Sequence, residues 1–352
     1  MKNKIYHFIG ILGLMLVSIH CTEVKKENLV EQSNSYFENQ DSGIQTGGIK
    51  IITIQTAKDS FKVWTKRIGN HPNIKVLLLH GGPGATHEYF ECVENFFPKE
   101  GIEFIYYDQL GSAFSDQPKD TSLWNINRFV DELEQVRLAL GLDKSNFYLL
   151  GHSWGGWLAQ QYALKYNEHL KGLIISNAMS SSPAYGKYAQ EVLGPQLDSA
   201  VLQEIRDLEA KKDFENPRYM DLLMPHFYNK FICRIPLETW PDPILRAFKN
   251  LNHQIYIMMQ GPSEFGMSGN LEKWDIGTEL KNISAPTLVI AGKYDTMDPE
   301  HLKWMSQQVQ NGSYLYCENG SHMSLYDDQQ TYMNGLIHFI KAVDKGEMKV
   351  KF

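Results

Sequence analysis

Five short runs of wholly apolar residues punctuate this chain: Val76–Leu79, Phe104–Tyr107, Phe147–Leu150, Leu173–Ile175 and Leu288–Ile290. A strand with no polar alternation must be covered on both faces, as in a parallel sheet layered between helices. Helical periodicity fills the gaps, notably over Asn125–Leu140 and Trp157–Tyr166. Alternating strand and helix predicts an α/β architecture with right-handed crossovers. Ahead of the first run, Ile49–Thr56 and Phe61–Ile68 alternate in the manner of an antiparallel pair. The rhythm lapses between Ser181 and Ile283, where aromatic residues (Phe227, Tyr228, Phe231, Trp240, Phe248, Tyr256, Phe265, Trp274) mix with prolines at 217, 225, 236, 241 and 243. A helical cap inserted after the sixth strand is expected there. The 352 residues, 43% apolar and 21% charged, are enough for a large core, which excludes a disordered chain or a small disulfide-stapled one. Net charge is −7 with no Lys/Arg cluster to neutralise a row of phosphates, so nucleic acid is not an expected partner.

The N-terminus reads differently. Lys2 and Lys4 precede an apolar stretch from Ile5 to Ile19, followed by His20 and Cys21. This stretch is too short to span ~30 Å of hydrocarbon and reads as a secretory signal over 1–20. Residues 21–48 are polar and without period, the composition of a solvated tether. The α/β core is then expected over 49–180 and 284–352, with the cap over 181–283. A cysteine directly after a signal-like stretch resembles the lipobox of bacterial lipoproteins. That resemblance implies a lipid anchor on Cys21 and an exported protein held at a membrane, facing the periplasm or the cell exterior. Ser18-Ile19-His20 lacks the small residue usual before such a cysteine, and a cleaved signal with an incidental cysteine is the alternative. Cys92, Cys233 and Cys317 have no metal-ligand spacing and read as buried thiols.

The chemistry concentrates in Gly151-His152-Ser153-Trp154-Gly155-Gly156, a G-x-S-x-G between a strand-like run and a helical one. This is the context of a nucleophile elbow: glycines admit a sharp turn that lifts Ser153 off the sheet edge. The following helix N-terminus brings the Trp154 amide toward developing negative charge. A serine hydroxyl needs a base, and on such a scaffold the acid and then the histidine follow it in the chain. Asp295 and His322 each follow a strand-like run and are the expected partners, with Asp298 a rival acid. His301 and His338 sit on helix-like segments and read as structural. His80-Gly81-Gly82-Pro83-Gly84 follows the run Val76–Leu79, and its Gly82 amide is the second expected oxyanion donor. No G-K-[ST] follows, so a phosphate loop is disfavoured.

Together with Asp108-Gln109-Leu110-Gly111-Ser112-Ala113-Phe114-Ser115 and Gly261-Pro262-Ser263-Glu264-Phe265, these motifs resemble the proline iminopeptidases, serine peptidases of the α/β-hydrolase superfamily. The resemblance runs from Ile49 to Lys341, with Ala113 standing where the family has glycine. It implies an α/β-hydrolase fold and release of an N-terminal residue, often proline, from small peptides or aminoacyl amides, with no metal or organic cofactor. A free amine is a cation at neutral pH and calls for carboxylates. The resemblance places one at Glu264 and a second at Glu238, with Asp242 competing. The rival readings are an amino-acid amidase or carboxylesterase on the same fold, and a non-catalytic peptide-binding lipoprotein.

Overall fold

Each apolar run becomes a strand in the computed structural model, which describes Tyr36 and residues 43–352. The signal-like segment, Cys21 and most of the tether lie outside the described residues. The strands are β1 (Ile49–Gln55), β2 (Ser60–Ile68), β3 (Lys75–Leu79), β4 (Glu103–Asp108), β5 (Phe147–His152), β6 (Gly172–Ser176), β7 (Thr287–Gly292) and β8 (Gly312–Cys317). They form one sheet in the order β1-β2-β4-β3-β5-β6-β7-β8, antiparallel at β1, β2 and β4 and parallel from there on. The expected α/β-hydrolase fold, mostly parallel, is thus the fold observed. Residues of β4, β5, β6 and β7 are buried throughout, which is why their sequences show no polar alternation.

Side chains alternate between the two faces of a strand. Leu77, Leu79, Leu149 and Ile175 meet Leu133 and Val136 of α1 (Ile126–Ala139) and Leu158 and Tyr162 of α2 (Trp154–Tyr166). Val76, Leu78, Leu150 and Ile174 meet the opposite layer, which includes Leu336 and Phe339 near the C-terminus and Leu223 and Phe227 of the cap. Parallel pairing sends every strand from β3 to β8 out at one edge, where the loops bearing Ser153, Asp295 and His322 begin.

Between β6 and β7 the chain forms α3 (Ser182–Tyr188), α4 (Ser199–Ala210), α5 (Pro217–Leu223), α6 (Asp242–Lys249) and α7 (His253–Met259). These helices are short because caps and prolines punctuate the sequence: Ser181, Asp198, Asn216 and Asn252 each accept a first-turn amide, and Pro217 and Pro243 occupy first turns. Trp274, at the return to the core, stacks on Trp157 of α2 with ring centroids 4.6 Å apart. After β7 come α8 (Pro299–Gln308), then, past β8, α9 (Ser324–Asp327) and α10 (Gln329–Asp344).

One residue of the expected tether departs from the solvated reading. Tyr36 is buried, and its hydroxyl donates to the Ile102 carbonyl at 2.7 Å. Its ring lies over Gly69, where an added Cβ would come within 2.7 Å of it. An aromatic ring in a polar stretch has apolar area to bury, and a glycine at the end of β2 leaves the place for it. Among the described residues, no helix is long and apolar enough to cross a membrane. Cys92, Cys233 and Cys317 are free and buried.

Candidate active site

Ser153 is the pivot between β5 and α2, at φ 56° and ψ −126°, a conformation that costs an L-residue about 1–3 kcal/mol. The flanking glycines make the turn possible by close approach: a Cβ on Gly151 would fall 2.0 Å from the Gly155 carbonyl oxygen, and one on Gly155 2.0 Å from that of Leu79. The turn is locked by the Ser153 amide donating to Ser176 O at 3.0 Å, and by the Gly156 and Trp157 amides donating back to Ser153 O.

Asp295 lies three residues past β7 and is fully buried. Its Oδ1 faces His322 Nδ1 at 2.8 Å and accepts the Met297 amide at 3.0 Å, while Oδ2 accepts Asn177 Nδ2–H at 2.6 Å. Burial alone would depress the His322 imidazole, but the Asp295 charge and hydrogen bond, reinforced by Glu264 and Asp327, raise its pKa above the ordinary value. With Nδ1 committed to Asp295, Nε2 is the nitrogen left for Ser153. The two side chains line the same cavity without a direct hydrogen bond, a contact that in substrate-free sites commonly closes only on binding. Asp298, the rival acid, instead caps α8 by accepting the Glu300 amide at 3.0 Å. His301 bonds Ser180 and His338 packs edge-on to Phe352, both away from Ser153.

The glycine-rich loop passes directly over the serine. A Cβ on Gly81 would lie 3.0 Å from Ser153 Cβ and 3.4 Å from Oγ. Gly82 takes φ +105°, where a Cβ would strike the Ala85 amide at 2.6 Å. The Gly81 carbonyl accepts from His80 Nδ1 at 2.9 Å and from the Ala85 amide at 3.4 Å. Peptide planarity turns the Gly82 N–H the other way. Neither the Gly82 nor the Trp154 amide has an acceptor among the described residues. Gln109 braces both donors: its amide meets His80 Nε2 at 3.2 Å and its Oε1 accepts Trp154 Nε1–H at 2.9 Å. Ala113, at the family's glycine position, takes φ +36° and so bears the strain that glycine would relieve.

Ser153, His322 and Gly82 open into a cavity of about 320 Å³ roofed by the cap. Its walls are apolar and aromatic, with Phe214, Met220, Tyr228, Phe248 and Ile257 among them, and Glu264 is the one acidic residue that lines it among the described residues. Tyr256 donates to Glu264 Oε1 at 2.6 Å, Tyr185 donates to its carbonyl at 2.5 Å, and the Glu264 amide donates to the Tyr228 hydroxyl at 3.2 Å. Desolvation raises the Glu264 carboxyl above its ordinary value, against the pull of the His322 imidazole and the two phenols.

Glu238 requires a correction, because it is exposed on the turn Leu237–Thr239 and does not line the cavity. The neighbouring Trp240 takes the inward position, donating Nε1–H to Ile235 O at 2.9 Å. Asp242 is exposed as well and pairs with Arg246 at 2.6 Å. Of the cap aromatics, Phe214, Tyr228, Phe248 and Tyr256 reach the cavity, whereas Phe227 packs on Phe231 and Phe265 in the core. Nothing local in the chain singles out the phenols that hold Glu264, since tyrosine in a cap reads equally as filler. Asn177 was missed too, although its place just after β6 is one where a positive φ (52°) often accompanies a site.

A family model described as alpha/beta hydrolase fold matches residues 75–329. The proline iminopeptidase of Flavobacterium johnsoniae is 61% identical over 294 residues, 84% of this chain and 98% of that protein. That of Elizabethkingia meningoseptica is 58% identical over 296 residues, again 84% and 98%. Among solved structures, VinJ superposes with a TM-score of 0.77 at 28% identity, covering 83% of this chain and 98% of its own. The proline iminopeptidase of Mycobacterium smegmatis does so at 0.72 and 25%, covering 84% and 99%.

Proposed function

This chain belongs to the proline iminopeptidase family of the α/β hydrolases and is a serine hydrolase, a prolyl aminopeptidase; we propose that Ser153, His322 and Asp295 carry its reaction and that Glu264 selects the free amine. The supporting observation is one cavity that joins a buried Asp–His pair and a strained serine to a lone carboxylate in an apolar wall. Ser153 Oγ attacks the first carbonyl of the substrate as His322 Nε2 takes its proton, and Asp295 holds the imidazole and offsets its positive charge. The Gly82 and Trp154 amides bind the tetrahedral oxyanion. The imidazolium passes its proton to the departing amine, and water, deprotonated by the same nitrogen, then clears the acyl-enzyme. Glu264 pairs with the substrate ammonium, whose charge restores the carboxylate that burial disfavours. The apolar walls accept a pyrrolidine ring.

Ser153→Ala should abolish turnover of proline arylamide with the thermal melt unchanged, and substantial residual turnover would defeat the serine assignment. Equal rates on proline arylamide and its N-acylated form would favour the amidase or esterase reading. Absence of labelling by a serine-reactive phosphonate would favour a non-catalytic binding protein.

The second part of the proposal is that the chain is exported and anchored at a membrane by lipid on Cys21. The basic start, short apolar stretch and following cysteine support it. So does the size of the portion left over when relatives are matched over 98% of their own lengths but 84% of this one. Incorporation of an alkyne-tagged fatty acid that persists in Cys21→Ala, or is absent from both proteins, would overturn it.

A further inference from the structure

His152, the residue between the elbow glycine and Ser153, is buried, and its ring links three of the four loops that carry the site. The Gly81 amide donates to Tyr89 Oη at 2.6 Å, Tyr89 Oη lies 3.2 Å from His152 Nδ1, and His152 Nε2 lies 2.8 Å from the His322 carbonyl oxygen. Elementary bonding rules give this chain a single direction. An amide can only donate, so the Tyr89 oxygen accepts from Gly81. A carbonyl can only accept, so His152 carries its proton on Nε2. Nδ1 is then the acceptor, and the Tyr89 hydroxyl donates to it. Burial, helped by the nearby His322, pushes the His152 pKa down to about 3, so one neutral tautomer persists across the working range. The ring is held from its edges by Tyr89 and Phe90 and lies 4.9 Å from the His322 ring.

We propose that His152 and Tyr89 are positioning residues for the reaction, a one-way hydrogen-bond chain that sets the oxyanion loop and the His322 main chain in fixed register about Ser153. Gly81 is gripped on both sides, its N–H by Tyr89 and its carbonyl by His80, which fixes the plane that aims the Gly82 amide. At the other end of the chain the His322 carbonyl is fixed by His152, and the His322 amide by Phe231 O at 2.9 Å. Loops that follow β3, β5 and β8 are thereby linked through a single imidazole. Aligned donors polarise one another, so removing one link weakens the others.

The inference rests on the triad reading, and the test separates the two. Active-site titration with the phosphonate comes first: if the wild-type protein is not labelled, the triad reading itself falls. With wild-type labelled, Tyr89→Phe removes one oxygen and keeps the ring. It should lower kcat on proline arylamide by about 10–100-fold, the scale of a small misplacement of reacting groups, with KM changed less than about threefold. His152→Gln should do likewise, and the double variant should fall no further than the worse single one. A wild-type kcat in Tyr89→Phe, a change confined to KM, or losses that multiply in the double variant would each overturn the proposal. If His152→Gln loses its cooperative melt, the acylation rate of Tyr89→Phe decides: slowed acylation supports the chain, and an unchanged rate overturns it.

Discussion

At the carboxyl edge of the sheet the reacting groups are held through main chain: Ser153 by the Ser176 carbonyl, Asp295 by the Met297 amide, His322 through its own carbonyl by His152 at the end of β5. Across the cavity, the Glu264 carboxylate rests on the Tyr256 phenol, with the Tyr185 hydroxyl 3.5 Å away, and the ion pairs between α6 and the core run through Arg246. Main-chain bonds at strand ends move only if the sheet moves. Phenols and short helices can shift by a rotamer or a turn. On the proposed roles, the chemistry is built on the rigid wall and the choice of substrate on the adaptable one, and the two walls should respond differently to substitution.

Asp295→Asn should give the largest loss on the rigid wall after that of the serine, about 10⁴-fold in kcat. The wild-type pH profile belongs to the same comparison. His322 must be unprotonated to act and its pKa is raised. At saturating substrate the acid limb of the rate should thus have its midpoint above the ordinary histidine value near 6.5. A midpoint below that would mean the Asp295 contact does not persist in solution.

On the adaptable wall Glu264→Ala should lower kcat/KM for proline arylamide by roughly 10²–10³-fold, the scale of stranding a buried charge. An N-acylated ester should change less than about threefold. Equal losses on both substrates would move Glu264 to the rigid, general category.

Arg246→Ala tests how loosely the cap is fastened. Arg246 of α6 binds Glu88 at 2.6 Å and Glu91 at 2.5 Å, and its side chain is 34% exposed, so solvent screens part of the attraction. Several-fold higher KM with kcat within about twofold is the expected result, and high salt should partly reproduce it in the wild-type protein. A kcat loss as large as that of Asp295→Asn would erase the distinction between the walls. The smallest effect belongs to Asp298→Ala, which removes the cap of α8. It should cost about 1 kcal/mol of stability and leave kcat within about twofold. A large activity loss would reinstate it as the acid.

The rigid wall was also the legible one. Strand ends, an elbow and glycine loops need particular residues at particular spacings, so the meeting of Ser153, Asp295, His322 and Gly82 at one sheet edge could be read from local pattern and chain order. Cap residues answer only to tertiary packing. Glu238 and Asp242 are acids beside prolines and a tryptophan, and nothing local shows that Trp240 turns inward while both carboxylates turn out. His152 stood inside the most visible motif, yet its task depends on Tyr89 and His322, far off in the chain. Tyr36 was invisible for the same reason: its partner is the gap left by Gly69.

Tyr36 sits beside Ile102, at the start of β4, whereas the pocket opens where the parallel strands end. The six residues of β4 alone separate those two edges by roughly 20 Å. Held at Cys21, the enzyme would hang by residues 22–35, a leash of at most about 50 Å drawn straight. Fastened to the underside in this way, it would turn its mouth outward to passing peptides and keep the apolar rim of Met220 and Ile257 clear of the lipid.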